Sequence, residues 1–327
     1  MKKYIYILFV FLLFSCKQDP KNTVLSGSVF GTSYAVQYYS DKTTNFQQQF
    51  DSLFKVINKS MSTYIPDSDI SKINRNESNT IDVHFAKVFD ASKNIYKQTE
   101  GVFDPTIGVL VNAWDFGPEG RIANLDSLKI DSLMLSVGLN KVKRIGNTII
   151  KDNPNTFLDF NAIAKGYGVD VIGEFLENQH IDNYIVDIGG EIRTKGINIE
   201  KQKPWKIGVE KPHFDGSQSI MKAIVLKDEA MATSGTYRKF KTDENGNRYS
   251  HIIDTKTGYP SKTNLLSISV IADNCMTADA YATAFKAMGI EKVKAFLSTH
   301  PELKVFLIFE NDKKELETLS LNGFPEN

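Results

Sequence analysis

Asp279 and Thr283 stand four residues apart in Thr277-Ala278-Asp279-Ala280-Tyr281-Ala282-Thr283. On a helix, that spacing puts a carboxylate and a hydroxyl on one face, about 6 Å apart along the axis. Two hard oxygen donors so placed suit magnesium, and the flanking alanines leave room for close approach. The same pair also reads as an acid near a helix N-terminus and a threonine with no special task. A second stretch, Leu158 to Gly166, carries Asp159, Asn161, Ala162 and Lys165. Asn161 could cap a helix whose first turn holds Lys165, and helix N-termini bind phosphate. Lys165 would add a compact positive charge, and Ala162 could offer a backbone carbonyl to a metal. A solvated lysine and two packing glycines, Gly166 and Gly168, are the plainer alternative. Third, His251 precedes Ile252-Ile253-Asp254 and the turn-rich Thr257-Gly258-Tyr259-Pro260. An imidazole beside an acid could serve as base, acid or phosphate ligand, whereas Asp254 could simply open the turn. Ala232 to Arg238 adds the hydroxyls of Thr233 and Ser234 around Gly235, able to meet phosphate or an incoming protein segment. Taken together, these stretches point to magnesium-assisted phosphate chemistry.

Such residues need elements to bring them together. Ala278 to Met288 reads as a helix, with Thr277 as N-cap and Gly289 as stop. Phe46, Phe50, Leu53, Phe54 and Ile57 recur at helical spacing, as do Phe85, Val88, Phe89 and Ile95, so two amphipathic helices are expected early in the chain. Strands are expected at Tyr184-Ile188, Trp205-Val209, Ala223-Leu226, His251-Ile253, Leu266-Val270 and Val305-Phe309. Several are joined too briefly for a crossover helix, which predicts an α+β fold of largely antiparallel sheets packed with helices. Gly189-Gly190 reads as a turn. No linker, repeat or low-complexity stretch divides the body, so one catalytic module is expected.

The N-terminus is of another kind. Lys2 and Lys3 precede an apolar run from Tyr4 to Phe14 that ends Leu13-Phe14-Ser15-Cys16. This is the pattern of a lipoprotein signal peptide over residues 1–15, with Cys16 as the lipidated acceptor; an ordinary cleaved signal or an uncleaved anchor is the plainer alternative. A polar tether over residues 16–26 would lead to the module at 27–327. The expected location is the bacterial cell envelope, anchored to the membrane through the N-terminal lipid. Apart from Cys16, Cys275 is the only cysteine, so no internal disulfide is available. The 39 basic and 39 acidic residues give no net field, which argues against nucleic acid as a partner. His-Glu-x-x-His, clustered Cys/His spacing, Gly-x-Ser-x-Gly and a Walker-type Gly-Lys-Ser/Thr are all missing from the sequence.

Eight motifs in one order carry a resemblance. They are Met61 to Ser71, Gly101-Val102-Phe103-Asp104-Pro105-Thr106, Val111 to Gly117, Asp159 to Asp170, Asp187-Ile188-Gly189-Gly190, Thr233-Ser234-Gly235, His251 to Pro260 and Ala278 to Thr283. Over residues 27–310 the chain resembles the ApbE family, the FAD:protein FMN transferases once described as thiamine-biosynthesis lipoproteins. The resemblance implies an ApbE-like (T-fold-like) module that uses FAD as substrate and moves its FMN moiety to a Ser/Thr hydroxyl of an acceptor protein, releasing AMP. It implies Mg2+ held by the Ala162 carbonyl, Asp279 and Thr283. Phe30, Tyr64, Trp114, Asp115, Phe116, Asp159, Lys165, Thr233, Ser234 and Ile253 would contact FAD, and His251, helped by Asp254, would serve the transfer. Phe30 stands where the family usually has methionine. Similar proteins modify redox subunits of the Nqr and Rnf type at an Asp-x-x-Ser/Thr-Gly-Ala-Ser/Thr motif. This chain contains no such motif, and so reads as the modifying enzyme. A magnesium-dependent FAD pyrophosphatase and a non-catalytic flavin-binding lipoprotein are the rival readings.

Overall fold

The computed structural model describes residues 20–41, 44–237, 240–242, 246 and 248–326. The expected signal peptide, Cys16, the first part of the expected tether and Arg238 lie outside the described residues.

The N-terminal third opens with β1 (Lys21–Val29) and β2 (Thr32–Ser40), then turns helical: α1 (Gln47–Met61), α2 (Asp69–Asn74), α3 (Val83–Gln98), α4 (Gly108–Ala113) and α5 (Ser127–Met134). A small hairpin follows, β3 (Val142–Ile145) with β4 (Thr148–Lys151), and then α6 (Ala164–Asn178). The middle is strand-rich: β5 (Tyr184–Ile188), β6 (Glu191–Lys195), β7 (Ile197–Asn198), β8 (Lys203–Glu210), β9 (Ile220–Leu226) and β10 (Ala230–Gly235). After the short β11 (Phe240–Thr242) and β12 (Arg248–Ser250) come β13 (Leu265–Ala272), α7 (Cys275–Met288), α8 (Ile290–Leu297), β14 (Lys304–Glu310) and β15 (Leu316–Leu321).

Eight strands form one sheet in the order β1-β2-β5-β6-β10-β13-β14-β15. Every neighbouring pair is antiparallel; brief connections account for β1–β2, β5–β6 and β14–β15, whereas the other pairs join strands distant in the chain. Its two faces are covered differently. Ile268 and Val270 of β13 pack with Ala278, Ala282 and Phe285 of α7, while Ile271 packs with Ile207, Val209, Ile224 and Leu226 of β8 and β9. A strand covered on both faces needs no polar side, and all eight residues of β13 are buried. The expected aromatic stripes are core: Phe50, Phe54 and Ile57 of α1 and Phe85, Val88 and Phe89 of α3 are all at most 4% exposed. Each contributes about 1.5–3 kcal/mol through burial.

Four local expectations are corrected. Residues 21–26, assigned to the tether for their polarity, belong to β1: this edge strand pairs with β2 from Lys21 onward and is largely exposed, so polar residues suit it. The cap of α7 is Asn274, whose side chain accepts the Thr277 N–H, so the helix starts three residues before Ala278. Asn161 caps nothing; Ile163 holds the cap position of α6, and Asn161 instead gives its N–H to Asp159 in a tight turn at 2.7 Å. His251-Ile252-Ile253 is a loop with a single bridge, Ile253 to Pro260, because the following turn folds straight back on it. Gly189 and Gly190 form the β5–β6 hairpin turn with φ of 63° and 94°. Two consecutive positive φ values are the geometry that glycine accepts without strain.

Candidate functional site

A cavity of about 1400 Å³ opens where the β1–β2 turn, the end of α1, the start of α6, the β5–β6 turn, the β8–β9 rim and α7 converge. Its wall includes Phe30, Tyr64, Phe116, Asp159, Ala162, Lys165, Thr233, Ser234, His251, Ile253, Asp279 and Thr283. Twelve of the fifteen residues expected at the site thus meet in one place.

The three stretches singled out by their chemistry arrive on different elements. Asp159 and Ala162 sit in the turn before α6, Lys165 in its first turn, and Asp279 and Thr283 on the inner face of α7. The two helices touch so closely that Gly166 is required: a Cβ there would lie 2.3 Å from the Cys275 carbonyl oxygen and 2.8 Å from the Asp279 Cβ. That contact lets Gly166 donate its N–H to Asp279 Oδ2 at 3.0 Å. Asp279 is 6% exposed, and burial raises its pKa against the opposing pull of Lys165. Lys165 pairs with Glu191 Oε1 at 2.8 Å. Burial alone would lower the lysine's pKa, but the carboxylates of Glu191 and Asp279 outweigh it and the net shift is upward. Lys165 is therefore held as a cation.

Glu191 is a functional-site residue that the sequence did not announce. It is 3% exposed, its Oε2 has no hydrogen-bond partner, and burial pushes its pKa up against the opposing pull of Lys165. The only signal was an acid directly after Gly189-Gly190, which reads equally as an ordinary strand residue. Asp104 was also missed as a wall residue. It accepts the Thr106 N–H at 2.8 Å and hydroxyl at 2.6 Å, and burial raises its pKa to about 6.

Three expected residues stay behind the wall. Trp114 donates its indole N–H to the Gly258 carbonyl at 2.9 Å and packs on Tyr249 and Tyr259. Asp115, at φ 65°, forms an ion pair with Lys241. Both support Phe116, which faces the cavity and meets the His251 ring at 6.1 Å between centroids. Asp254 uses Oδ1 to accept the Lys256 and Thr257 N–H groups at 2.8 and 3.1 Å, so the turn consumes it. Tyr64 stands at the mouth, 56% exposed. Its hydroxyl pKa is raised by partial burial and then by Asp159.

Comparison with known proteins settles the kinship. Residues 30–307 match the profile of the ApbE family. The chain belongs to the ApbE family. It is 37% identical over 324 residues to a Vibrio cholerae protein named FAD:protein FMN transferase, covering 96% of each chain. It is 39% identical over 314 residues to one of the same name from Haemophilus influenzae, covering 92% of this chain and 90% of that one. The solved flavin transferase ApbE from Vibrio cholerae superposes with a TM-score of 0.82 at 35% identity, covering 92% and 97% of the two chains. The apo flavinyl transferase ApbE of Pseudomonas stutzeri gives 0.83 at 27% identity, covering 92% and 95%. The α+β architecture of antiparallel sheets and helices is thus that of the ApbE fold.

Whether an ApbE-type site here suits a divalent cation depends on its donors. Among the described residues no group of three or more His, Cys, Asp or Glu could hold a metal ion, so any site must mix donor types. A carboxylate on Asp279, a hydroxyl on Thr283 and the carbonyl of Ala162 all line the same cavity and are all hard oxygens. The donor chemistry fits magnesium.

Proposed function

We infer that this protein is an FAD:protein FMN transferase, joining the FMN moiety of FAD to a hydroxyl of an acceptor protein. The single observation that carries the reading is the convergence of Asp279, Thr283, Ala162, Lys165 and His251 on one cavity. Family membership and the names of the relatives support it.

In our proposed mechanism FAD lies in the cavity with its pyrophosphate beside Ala162, Lys165, Asp279 and Thr283 and its flavin toward Tyr64 and Phe116. Lys165 neutralises pyrophosphate charge, and Glu191 holds that ammonium group in place. Asp279, Thr283 and the Ala162 carbonyl would hold magnesium. When bound, the ion would supply positive charge to the pyrophosphate and ease departure of AMP. A Ser or Thr oxygen of the acceptor forms a bond to the phosphorus next to riboflavin, the P–O bond to the AMP phosphate breaks, and the hydroxyl proton passes to His251. The product is a phosphoester. Thr233 and Ser234 contribute hydroxyls at the wall where flavin phosphate or acceptor backbone would pass.

We further propose that Cys16 anchors the protein in the bacterial envelope, facing the periplasm. Its acceptors would then be redox subunits of the Nqr or Rnf type carrying Asp-x-x-Ser/Thr-Gly-Ala-Ser/Thr. The sequence pattern of residues 1–16 supports the anchor. No helix among the described residues is long and apolar enough to cross a membrane.

The test is to incubate the protein with FAD, magnesium and an acceptor bearing that motif, then to read flavin fluorescence on a denaturing gel while measuring AMP. A fluorescent acceptor band with stoichiometric AMP is expected. AMP and free FMN without a band would make the protein an FAD pyrophosphatase, and FAD retained without AMP would make it a flavin binder.

A further inference from the structure

Two carboxylates on facing helices each serve the other helix's first turn. Asp279 of α7 accepts the Gly166 N–H of α6 at 3.0 Å. Asp170 of α6 accepts the Cys275 N–H through Oδ1 at 2.9 Å and the Met276 N–H through Oδ2 at 2.8 Å, the opening residues of α7. All three donors belong to first turns, where a helix offers them no acceptor of its own. The local cap Asn274 takes only the Thr277 N–H, so Asp170 takes what remains.

This arrangement is unusual within the molecule. Helices α2, α3 and α5 are capped by their own preceding residues, Ser68, Asp82 and Asp126. Helix α7 adds a remote carboxylate, 4% exposed, whose desolvation must be offset. The offset comes from the helix N-terminus and from Arg193, whose Nη1 donates to Asp170 Oδ1 at 3.0 Å. Arg193 also donates to Glu177 Oε1 at 2.8 Å. It stands on β6 two residues from Glu191, the partner of Lys165. One strand therefore pins α6 at three points, Lys165, Asp170 and Glu177, while α6 pins α7. Asp170 does not line the cavity.

We propose that Asp170 is a positioning residue for the cation and pyrophosphate subsite. By gripping the first turn of α7 from α6, it sets the axial and rotational position of Asp279 and Thr283 against Ala162 and Lys165. The sensitivity is steep: a slip of one residue moves a helix about 1.5 Å and turns it about 100°. Magnesium accepts oxygen ligands only near 2.0–2.1 Å, in near-octahedral geometry. This role rests on reading the cavity wall formed by Ala162, Lys165, Asp279 and Thr283 as a magnesium–pyrophosphate subsite.

The test titrates MgCl2 into the full chain with FAD and follows flavin fluorescence without acceptor, so that binding rather than turnover is read. Asp170→Asn keeps the side-chain volume but loses one acceptor and the charge. It should raise the half-saturating magnesium concentration at least fivefold and leave FAD binding in EDTA within twofold of wild type. Arg193→Lys, which keeps the charge but loses the fork, should give a smaller shift in the same direction. Ile172→Val, a core change on α6, supplies loss of stability without loss of the grip and should leave the magnesium dependence where it was.

Unshifted magnesium dependence in a folded Asp170→Asn protein overturns the proposal, as does an equal shift in Ile172→Val. Should Asp170→Asn fail to fold, Arg193→Lys decides: a shift of threefold or more supports the role and any smaller shift overturns it. A wild-type protein whose FAD binding ignores magnesium removes the subsite reading and this role with it. A magnesium-dependent wild type with unshifted variants removes only the role of Asp170.

Discussion

His251 and Asp254 are close in sequence but differ in what surrounds them. His251 faces the cavity beside Phe116, whereas both hydrogen bonds that Asp254 Oδ1 accepts belong to its own turn. His251→Ala should therefore lose at least a hundredfold in transfer with FAD binding changed less than threefold, since a positioned base contributes about 10²–10⁴ in rate. Asp254→Asn, which preserves the turn's acceptor oxygen, should retain most transfer activity. Single-turnover flavin labelling separates the two, and equal losses would restore Asp254 to the chemistry. Asp104 carries a different signature. Its pKa of about 6 in the folded protein lies above the unfolded value of about 3.9, so the folded state holds the proton more tightly. Stability from this group is full below about pH 4 and falls as pH rises through about 6, by roughly 3 kcal/mol. Urea unfolding from pH 4 to 7 should show that slope, and Asp104→Asn should flatten it. The residue types of Asp159, Lys165 and Asp279 made them readable from sequence. Glu191 was not, because what distinguishes it, full burial against Lys165 with one oxygen unpartnered, arises only when β6 meets α6.

At the scale of elements, the close contact of α6 and α7 governs the site. Gly166→Ala would push a methyl group against backbone that cannot swing aside, because the Cys275 carbonyl would be only 2.3 Å away. Gly168→Ala on the same helix meets only the Phe30 ring, at 2.6 Å, and a ring edge can rotate. The first variant should lose about 1–3 kcal/mol or more, with weakened magnesium-dependent FAD binding, and the second clearly less. Thermal unfolding with and without FAD and magnesium checks the order, and equal costs would contradict it. Patterning foresaw α1 and α3, since each buries one aromatic stripe. It foresaw antiparallel pairing as well, from short connections such as that between β8 and β9, although β2 and β5 pair across a long stretch of chain. It misplaced the start of α7, because Thr277 and Asn274 are both good caps and only the backbone decides between them. It also read Asn161 as a cap by residue type, where the chain uses a turn held by Asp159.

Across the whole molecule, the sheet order follows the chain, with β1 at one edge and β15 at the other. Strand β1 begins at Lys21, five residues after the proposed lipid at Cys16, a reach of at most about 18 Å. The β1 edge would thus ride close to the bilayer surface. Cys16→Ser should move the protein from membrane to soluble fractions with unchanged transfer to a soluble acceptor, and retention in the membrane would oppose the lipid assignment. Cys275 has a further consequence. Fully buried, with its thiol pKa raised well above normal by burial and then by the carboxylates of Asp170, Glu191 and Asp279, it offers almost no thiolate to oxidants. No disulfide among the described residues holds the fold, and its one described thiol is shielded from oxidants. A thiol reagent should leave Cys275 untouched until the protein unfolds.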